Sequence, residues 1–316
     1  MPDHVNTSDT LVIGAGPAGL TSAMYLSRFM RSCTVIHDGT ARASRIPLTH
    51  NVPGFPDGVT GPDLLSKMLS HAAEYGARIV EGHVVHLSMD DGNFCAELSD
   101  GAIYQARGIV LATGILLNQI DLPHKVHEQA IRDNVLRYCP VCDAYEHRGK
   151  NIAVLGADLH GAAEALFLRQ YSNHVTLIPA WTNELEPAQV RELEDSGVSL
   201  VRGEVDLIEP MQNSIKLVIA NGESLISLDF DVLYPALGVT PRTELAVGLG
   251  LSAQDDGRLD PLAHARTDIP GVYAAGDIVE GLDQISVAMG HGAIAATKLH
   301  NWLREQDGHV IEGSSP

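Results

Sequence analysis

The chain has 316 residues, 45% of them hydrophobic and 19% charged, with 30 glycines, which fits a two-domain α/β protein and excludes an intrinsically disordered chain. Its 21 basic and 40 acidic residues give a formal charge of −19, which argues against nucleic acids and anionic membranes as partners. No transmembrane helix or signal peptide is predicted, and four cysteines are too few for a disulfide-stapled secreted fold, so we expect a cytoplasmic protein.

The first predicted unit is a strand over Leu11–Ile13 that enters a glycine-rich turn, followed by a helix over about Pro17–Arg28. In the turn, Gly14 permits the tight bend, Gly16 lets the backbone approach a pyrophosphate, and Gly19 allows close packing of the helix on the strand. The N–H groups at the start of such a helix bind phosphate. The unit therefore predicts a dinucleotide site.

The rest of this unit supports the same interpretation. Pro17 and Ala18 stand at the predicted helix N-terminus, and a second strand, CTVIHD, ends at Asp38. An acidic residue at that position can accept a hydrogen bond from a ribose hydroxyl. A glycine pattern alone is a weak signal, but here the strand, the helix and the acid on the second strand are all present.

Two later strands end in motifs of small and polar residues. IVLATG (109–114) is one, and TDIPGVYAAGD (267–277) is the other, followed by a helix expected to begin near Gln284. Together with the first motif, these segments resemble the flavin-binding signatures of two-dinucleotide-domain flavoproteins. The resemblance implies FAD as the cofactor, with Asp277 bonding the ribityl chain and the next helix directing its positive N-terminus at the flavin. The cofactor-binding residues implied in these segments are Ala112, Thr113, Gly114, Gly276, Asp277, Gln284 and Ile285.

The segment YCPVCDAYE (138–146) carries Cys139 and Cys142 at C-x-x-C spacing. Such a pair can close a small disulfide, and one of its thiolates can be stabilised by local donors and charge. A zinc site is the competing interpretation, but it needs four ligands and no second pair stands at suitable spacing, so no metal is predicted. The other cysteines, Cys33 and Cys95, fall in apolar runs and are interpreted as small core residues.

The whole set of motifs resembles the low-molecular-weight thioredoxin reductases, class II members of the pyridine nucleotide-disulfide oxidoreductase family, over nearly the full chain. NVPGFPDGVTGPDLLSKM (51–68) is similar to that family's loop and helix between the first FAD-domain segments, and ALGVTPRT (236–243) to the stretch where the chain leaves the central domain. The resemblance implies a thiol–disulfide oxidoreductase that forms a homodimer and acts on a thioredoxin-like protein or a small dithiol or disulfide.

The resemblance also implies roles for the residues around the cysteine pair. Cys142 would lie against the flavin as the charge-transfer thiolate, and Cys139 would be the thiol that attacks the partner disulfide. Asp143 would be the acid and base that moves the proton during exchange. Two histidines, His50 and His291, are further candidate bases for thiol chemistry.

Strand and helix patterns alternate in the N-terminal segment and again over 151–203. The expected fold is α/β, with two doubly wound three-layer domains of the dinucleotide-binding type, the central one inserted into the FAD domain. The FAD domain is expected to take residues 1–115 and 246–316, and the central NADPH-type domain residues 116–245. SIKLVIA and ESLISLDF predict a hairpin-like pair in the central domain.

The second glycine pattern, NIAVLGADLHGAAE (151–164), departs from a working dinucleotide motif. Gly156 and Gly161 keep the first and last glycines, but Asp158 replaces the central one. A β-carbon there obstructs backbone approach, and its carboxylate would face a pyrophosphate. Like charges at about 4 Å repel by about 1 kcal/mol in water and about 4 kcal/mol at an effective dielectric of 20. The pattern therefore predicts weakened nicotinamide binding.

A second departure follows the strand HVTLI. NADPH-using relatives carry a His-Arg-Arg cluster and a further arginine there to hold the 2′-phosphate. This chain reads PAWTNELEP from Pro179 to Pro187, with two glutamates and no basic residue. No acid ends that strand to bond a free ribose, so an NADH site is also poorly served. These departures assign the chain to a subgroup with a degenerate NADPH site.

The leading hypothesis is an FAD-dependent dithiol/disulfide oxidoreductase that does not use NADPH. It would take electrons from ferredoxin or another carrier and reduce thioredoxin or a similar disulfide. The alternatives are a small-molecule dithiol oxidase that uses oxygen, an NADPH-dependent thioredoxin reductase with an atypical pocket, and a non-enzymatic flavin redox switch. The position of Asp143 beside the cysteine pair favours turnover, and both directions of electron flow stay open.

Overall fold

A computed structural model describes residues 6–156, 158–178, 185–260 and 267–309. The chain forms two compact units, the first from residues 1–116 and 240–316 and the second from residues 117–239. Each unit has its own sheet with helices packed against it, and the predicted α/β fold class is confirmed. In the described residues, no helix is both long and apolar enough to cross a membrane.

The chain returns to the first unit at Thr240, whereas the sequence placed the return at 246. The physical reason lies in two contacts within the first unit. The hydroxyl of Thr113 donates to the carbonyl oxygen of Arg242 at 2.6 Å, and the Arg242 guanidinium pairs with Asp38 at 2.6 Å. The segment 240–245 is held to this unit by tertiary contacts that no local pattern encodes.

The first part of the first unit alternates strands with helices. Its helices are α1 (Pro17–Arg28) and α2 (Gly61–Glu74), and a 3-10 turn covers Arg42–Arg45. Its strands are β1 (Asn6–Ile13), β2 (Cys33–His37), β3 (Arg78–Glu81), β4 (Val84–Asp90), β5 (Asn93–Leu98), β6 (Ile103–Leu111) and β7 (Ile115–Leu117). β7 ends at the passage into the second unit.

The sheet of the first unit has the order β3-β2-β1-β6-β5-β4. β1 runs parallel to β2 and to β6, with Leu11 opposite Thr34 on one side and Ile109 on the other. The carboxyl ends of these three strands therefore meet at one edge, where ligands bind in open α/β sheets. The apolar residues at the ends of β1 and β6 are fully buried and form the core beneath that edge.

The second unit has a parallel sheet in the order β10-β9-β8-β14 and an antiparallel sheet in the order β11-β12-β13. β12 pairs with β13 over seven residues, which confirms the predicted hairpin. Its helices are α3 (His124–Arg132), α4 (Pro140–Asp143), α5 (Leu159–Arg169) and α6 (Pro187–Asp195). Its strands are β8 (Asn151–Leu155), β9 (His174–Ile178), β10 (Ser199–Leu200), β11 (Glu204–Pro210), β12 (Ile215–Asn221), β13 (Ser224–Phe230) and β14 (Val232–Pro235).

The remaining elements are β15 (Val239–Pro241), α7 (Glu244–Gly248), β16 (Val272–Ala274) and α8 (Ile285–Gln306). β16 joins the first unit's sheet by pairing in parallel with β6. α8 packs closely on α1 because small residues meet there. A β-carbon at Gly292 would collide with the backbone of Ala18, and the Ser22 hydroxyl donates to the Gly292 carbonyl at 3.0 Å. α8 begins at Ile285 with Gln284 as its N-cap residue, as predicted.

Candidate functional site

A cleft of about 260 Å³ opens in the first unit at the carboxyl ends of β1, β2 and β6. Twelve of the thirteen residues predicted to bind the cofactor line this cleft, although they come from five separate stretches of sequence. Their part in binding stays a prediction, but the structure brings them together. These twelve are Gly14, Gly16, Pro17, Ala18, Asp38, Ala112, Thr113, Gly114, Gly276, Asp277, Gln284 and Ile285.

The glycines of the first turn have different surroundings. Gly14 has a φ of +108°, and a β-carbon there would collide with the Ala112 carbonyl, so the turn requires glycine. A β-carbon at Gly16 would meet nothing within 4 Å, which leaves its backbone open to a ligand. Gly19 does not line the cleft; it packs directly on Gly14. Its predicted packing role therefore fits the structure, whereas ligand contact does not.

Two long helices begin at the cleft. α1 starts after Gly16 and α8 starts after Gln284, and no described side chain caps either N-terminus. The N–H groups of a helix's first turn have no partner within the helix, and together with the helix dipole they favour an anionic ligand. The open backbone at Gly16 and these two N-termini fit the phosphates and the electron-rich ring of FAD.

Two arginines in the cleft escaped the sequence analysis. The Arg242 guanidinium lies 2.6 Å from the Asp38 carboxylate, and that of Arg42 lies 3.2 Å from the Asp277 carboxylate. Desolvation would raise the pKa of Asp38, but hydrogen bonds from Thr40 and Arg242 outweigh it and hold the pKa well below its usual range. For Asp277, desolvation wins over the Arg42 charge and raises the pKa. Each arginine thus balances a carboxylate of the cleft, and its guanidinium adds hydrogen-bond donors to the cleft wall.

The start of α8 is held by a polar cluster. The Arg258 guanidinium makes two hydrogen bonds to the Asp283 carboxylate, at 2.7 and 2.9 Å. Arg42 donates to the Asp283 carbonyl at 2.8 Å, and the Asn51 amide donates to the Gln284 side chain at 2.9 Å. Bidentate arginine–carboxylate pairs add geometric specificity. The cluster therefore fixes where the α8 N-terminus meets the cleft.

Other residues singled out in the sequence lie outside the cleft. His50 is exposed and His291 is half-buried on α8, and neither lines the cleft in the described part of the chain. Cys33 is buried in the core, and burial raises the pKa of its thiol to about 12. Cys95 is only half-buried and accepts a hydrogen bond from Gln105, so its interpretation as a core residue is wrong. Alternate residues of β5 face the solvent side of the sheet, and Cys95 is one of them.

The redox pair lies at the start of α4 in the second unit. Cys139 is the N-cap residue of this helix, and its sulfur is joined to that of Cys142 in a disulfide. The two Cα atoms are 5.3 Å apart, and the Cys142 N–H donates to the Cys139 carbonyl at 3.0 Å. Both cysteines are half-buried. Among the described residues, no group of histidines, cysteines and carboxylates is placed to hold a metal ion.

Asp143 follows the pair directly and is held in a buried polar network. The Tyr234 hydroxyl donates to one Asp143 carboxylate oxygen at 2.7 Å, and the Arg137 guanidinium lies 3.1 Å from the other. His147 Nδ1 is 2.9 Å from the Tyr234 hydroxyl. Desolvation raises the pKa of Asp143, and the Arg137 charge and the Tyr234 hydrogen bond only partly oppose it. A raised pKa favours the protonated form of this carboxyl, which is the form that can donate a proton beside a disulfide.

The sequence analysis did not identify the residues around Asp143. Arg137 and His147 are close to it in sequence and could have been suspected from RYCPVCDAYEH alone. Tyr234 could not, because it lies on β14, 91 residues away, in an apolar strand with no functional motif.

The second glycine turn is closed by its own side chain. Asp158 is the N-cap of α5, and its carboxylate accepts a hydrogen bond from the Gly161 N–H at 2.9 Å. Gly156 and Gly161 pack so closely that a β-carbon on Gly161 would lie 3.0 Å from the Gly156 Cα. The carboxylate thus occupies a backbone donor that a phosphate would use. Residues 179–184, which carry most of the predicted loss of the 2′-phosphate cluster, lie outside the described residues.

Comparison with known proteins adds four similarities. A family model described as pyridine nucleotide-disulphide oxidoreductase matches residues 8–292. A thioredoxin reductase of Listeria innocua serovar 6a is 29% identical over 309 residues, which cover 94% of each chain. A 34.2 kDa protein in the rubredoxin operon of Clostridium pasteurianum is 27% identical, with 93% of this chain and 97% of the relative covered. The thioredoxin reductase structure from Streptococcus pyogenes MGAS5005 matches with a TM-score of 0.86 at 25% identity, over 95% of this chain and 99% of its own.

Proposed function

The chain belongs to the pyridine nucleotide-disulphide oxidoreductase family as an FAD-dependent disulfide oxidoreductase, and we propose that it passes electrons through the Cys139–Cys142 pair without using NADPH. The observation that carries this proposal is the contrast between its two kinds of glycine turn. The turn at Gly16 is open, whereas the turn at Asp158 is capped by a carboxylate. A phosphate is therefore favoured in the first unit and repelled in the second.

FAD supplies two-electron chemistry when bound. Gly14, Gly16 and the α1 N-terminus would hold its pyrophosphate, and Asp38 would accept from a ribose hydroxyl while keeping its ion pair with Arg242. Asp277 and the α8 N-terminus would hold the ribityl and flavin end. The first unit alone contains every residue in this assignment.

The second unit would perform the exchange. The thiolate of reduced Cys139 attacks one sulfur of the partner's disulfide, forming a mixed disulfide while the partner's S–S bond breaks. The departing sulfur leaves with the bonding electron pair and takes a proton from the Asp143 carboxyl. The Cys142 thiolate then attacks Cys139, which frees the partner's second thiolate and closes the Cys139–Cys142 disulfide. Two electrons pass to the partner in this sequence.

We propose a thioredoxin-like protein or a similar small disulfide as the partner, and ferredoxin or another carrier as the electron donor. Several relatives are named thioredoxin reductase, and one is encoded in a rubredoxin operon. Acidic carriers would be repelled by a chain of charge −19. Residues 117–150, which include the redox pair, contain five basic and five acidic residues, so this segment is electrically neutral. An acidic carrier can therefore approach this segment with less repulsion. We also propose that the protein forms a homodimer, on the basis of its resemblance to the thioredoxin reductases.

A second candidate function is an NADPH-dependent reductase with an atypical pocket. Its support is that the β8–α5–β9 unit keeps its parallel pairing and the close Gly156–Gly161 contact. A cofactor could bind there if its phosphates avoided the α5 N-terminus. The Asp158 cap makes this the weaker candidate, because the cofactor would lose a backbone donor and face a carboxylate.

The test is anaerobic reduction of the FAD-loaded protein, with the flavin absorbance as the readout. Stoichiometric NADPH, NADH, dithiothreitol and reduced ferredoxin are added separately. We expect rapid bleaching by dithiothreitol or ferredoxin and slow or no bleaching by either nicotinamide. Bleaching by stoichiometric NADPH within seconds would reject the proposed function in favour of the second candidate. No bleaching by any of the four would reject both and support a flavin redox switch.

A further inference from the structure

The hydrogen bonds behind Asp143 form a chain with one direction. His147 Nδ1 lies 3.0 Å from the Asp143 carbonyl oxygen, which can only accept, so Nδ1 carries the hydrogen. The Asn134 amide nitrogen lies 3.1 Å from His147 Nε2, on the other side of the ring. Tyr234 donates onward to the Asp143 carboxylate at 2.7 Å. The His147 Nδ1–H is therefore shared between the Asp143 carbonyl oxygen and the Tyr234 hydroxyl oxygen, which is 2.9 Å away, and the Tyr234 hydroxyl points at the Asp143 carboxylate.

We propose that Tyr234 and His147 are positioning residues that hold the Asp143 carboxyl as the proton store for exchange at the Cys139–Cys142 pair. This inference rests on the proposed function, because it assumes that Asp143 supplies the proton. Tyr234 is fully buried and His147 is 4% exposed, and neither side chain forms part of the surface that a partner would meet. Burial of their polar groups costs desolvation free energy, and the hydrogen bonds that compensate for it are the ones in the chain that leads to Asp143.

The chain can follow the carboxyl through both protonation states. When the Asp143 carboxyl has given its proton to the departing thiolate, the Tyr234 O–H stabilises the new carboxylate and the His147 Nδ1–H supports the phenol oxygen. The Arg137 guanidinium lies 3.1 Å from the second carboxylate oxygen. When the partner's second sulfur leaves and the disulfide closes, solvent returns the proton to Asp143. The tyrosine and the histidine gain and lose no atoms in this cycle.

The charged and titratable groups that act on Asp143 are Arg137, Glu146, His147 and Tyr234. Helix α5 also packs against α4, and the ionisable groups at the start of α5 have partners of their own. These α5 partnerships are Asp158 with the Gly161 N–H and His160 with Glu164. Loss of the Tyr234 hydroxyl therefore changes one strong interaction with Asp143 and leaves the surrounding charges in place.

The experiment replaces the phenol by a ring of the same shape. Tyr234→Phe removes the donor to the Asp143 carboxylate, which favours the protonated acid. Loss of a hydrogen bond to a charged group corresponds to an upward shift of about one to two units in the pKa of that acid. The chemically reduced, FAD-loaded protein is mixed with glutathione disulfide, and thiol release is followed against pH. We expect the pH midpoint of the alkaline limb of the rate to rise by this amount. The pH at which the carboxylic C=O infrared band of Asp143 disappears should rise with it, and Asp143→Asn should abolish this band.

A second substrate separates proton supply from general damage. The nitrobenzoate thiolate that leaves 5,5′-dithiobis(2-nitrobenzoate) departs without needing a proton, so its release should be the same in Tyr234→Phe and the wild type. His147→Ala should shift the alkaline limb of the rate. His147→Asn keeps an N–H near the Nδ1 position, so its alkaline limb should lie close to that of the wild type. Tyr138→Phe is the matched control, because Tyr138 directly precedes Cys139 in the sequence but its hydroxyl bonds to His127 at 2.7 Å.

The outcomes distinguish this inference from the proposed function. If Asp143→Asn keeps the alkaline limb, Asp143 is not the proton donor and both fail. If Asp143→Asn loses the limb but Tyr234→Phe leaves the limb and the infrared band where they were, only the positioning role fails. Equal slowing of both substrates at every pH in Tyr234→Phe would also overturn it, since that pattern indicates a purely structural contribution.

Discussion

Replacement of Asp158 by glycine should reopen the second dinucleotide turn. In the structure, the Asp158 carboxylate accepts the Gly161 N–H at 2.9 Å and so occupies the α5 N-terminus. Glycine at this position removes both the carboxylate and the β-carbon that stand between a phosphate and the backbone. The glycine pair Gly156 and Gly161 already packs as a dinucleotide turn requires. We therefore expect Asp158→Gly to bind NADH more tightly than the wild type.

The size of the gain follows from electrostatics. A phosphate bound at the helix N-terminus about 4 Å from a carboxylate is repelled by about 1 kcal/mol in water and about 4 kcal/mol at an effective dielectric of 20. Since about 1.4 kcal/mol is tenfold in affinity, the expected gain is between about fivefold and about a thousandfold. The lost cap costs only a few tenths of a kcal/mol in glycine, roughly 0.3 kcal/mol, so the fold should survive.

The assay measures the NADH dissociation constant by calorimetry and, separately, the anaerobic rate of flavin bleaching. NADH is the better probe than NADPH because it needs no site for a 2′-phosphate. Asp158→Asn is the matched control: its amide oxygen can still accept the Gly161 N–H, but it carries no charge. We expect Asp158→Asn to gain only the part of the NADH affinity that comes from removing the negative charge. An Asp158→Gly variant that binds NADH no more tightly than the wild type would refute the assignment of Asp158 as the block.

Three further predictions follow from the described contacts. Gly16→Ala should change the free energy of unfolding of the FAD-free protein by less than about 1 kcal/mol, because its β-carbon meets nothing, but its retention of FAD on gel filtration should fall. Gly14→Ala should lose about 1–3 kcal/mol of stability, because Gly14 has a φ of +108°. Equal stability of the two variants would contradict this. Because the folded-state pKa of Asp38 is lowered, its advantage over Asp38→Asn in urea midpoint should be complete at pH 7, begin to decline below about pH 4, and be lost only as the pH falls through the lowered folded-state pKa. An advantage as large at pH 2.5 as at pH 7 would contradict the assigned pairing with Arg242. In the oxidised native protein, iodoacetamide should label Cys95 before Cys33, whose pKa is about 12, and mass spectrometry showing the reverse order would contradict the burial difference.

The local elements were predictable because their signals are local. The helix predicted over Pro17–Arg28 has those bounds in the structure, since a proline marks its start and the glycine turn precedes it. The helix expected from Gln284 begins at Ile285 for a similar reason, and the hairpin of β12 and β13 follows from alternating apolar residues. The C-x-x-C spacing likewise identified the pair that the structure joins in a disulfide.

The partners of the site residues were not predictable. Arg242 and Asp38 are 204 residues apart, and no pattern in either segment names the other. Cys95 shows the same limit in a single strand, because the sequence indicated an apolar run but not which face of β5 would point to the core. The return of the chain to the first unit at Thr240 also depends on such distant contacts.

The sequence by itself determined the fold class, the glycine turn at Gly14 and the redox pair, because backbone geometry and turn chemistry depend on neighbouring residues. It also identified Asp158 as the departure in the second turn. Only the tertiary structure decided what that carboxylate does, since capping requires the folded start of α5. It alone also placed the Tyr234 hydroxyl on Asp143, because burial and long-range contact set the proton affinity of an acid, and neither is written in the residues beside it.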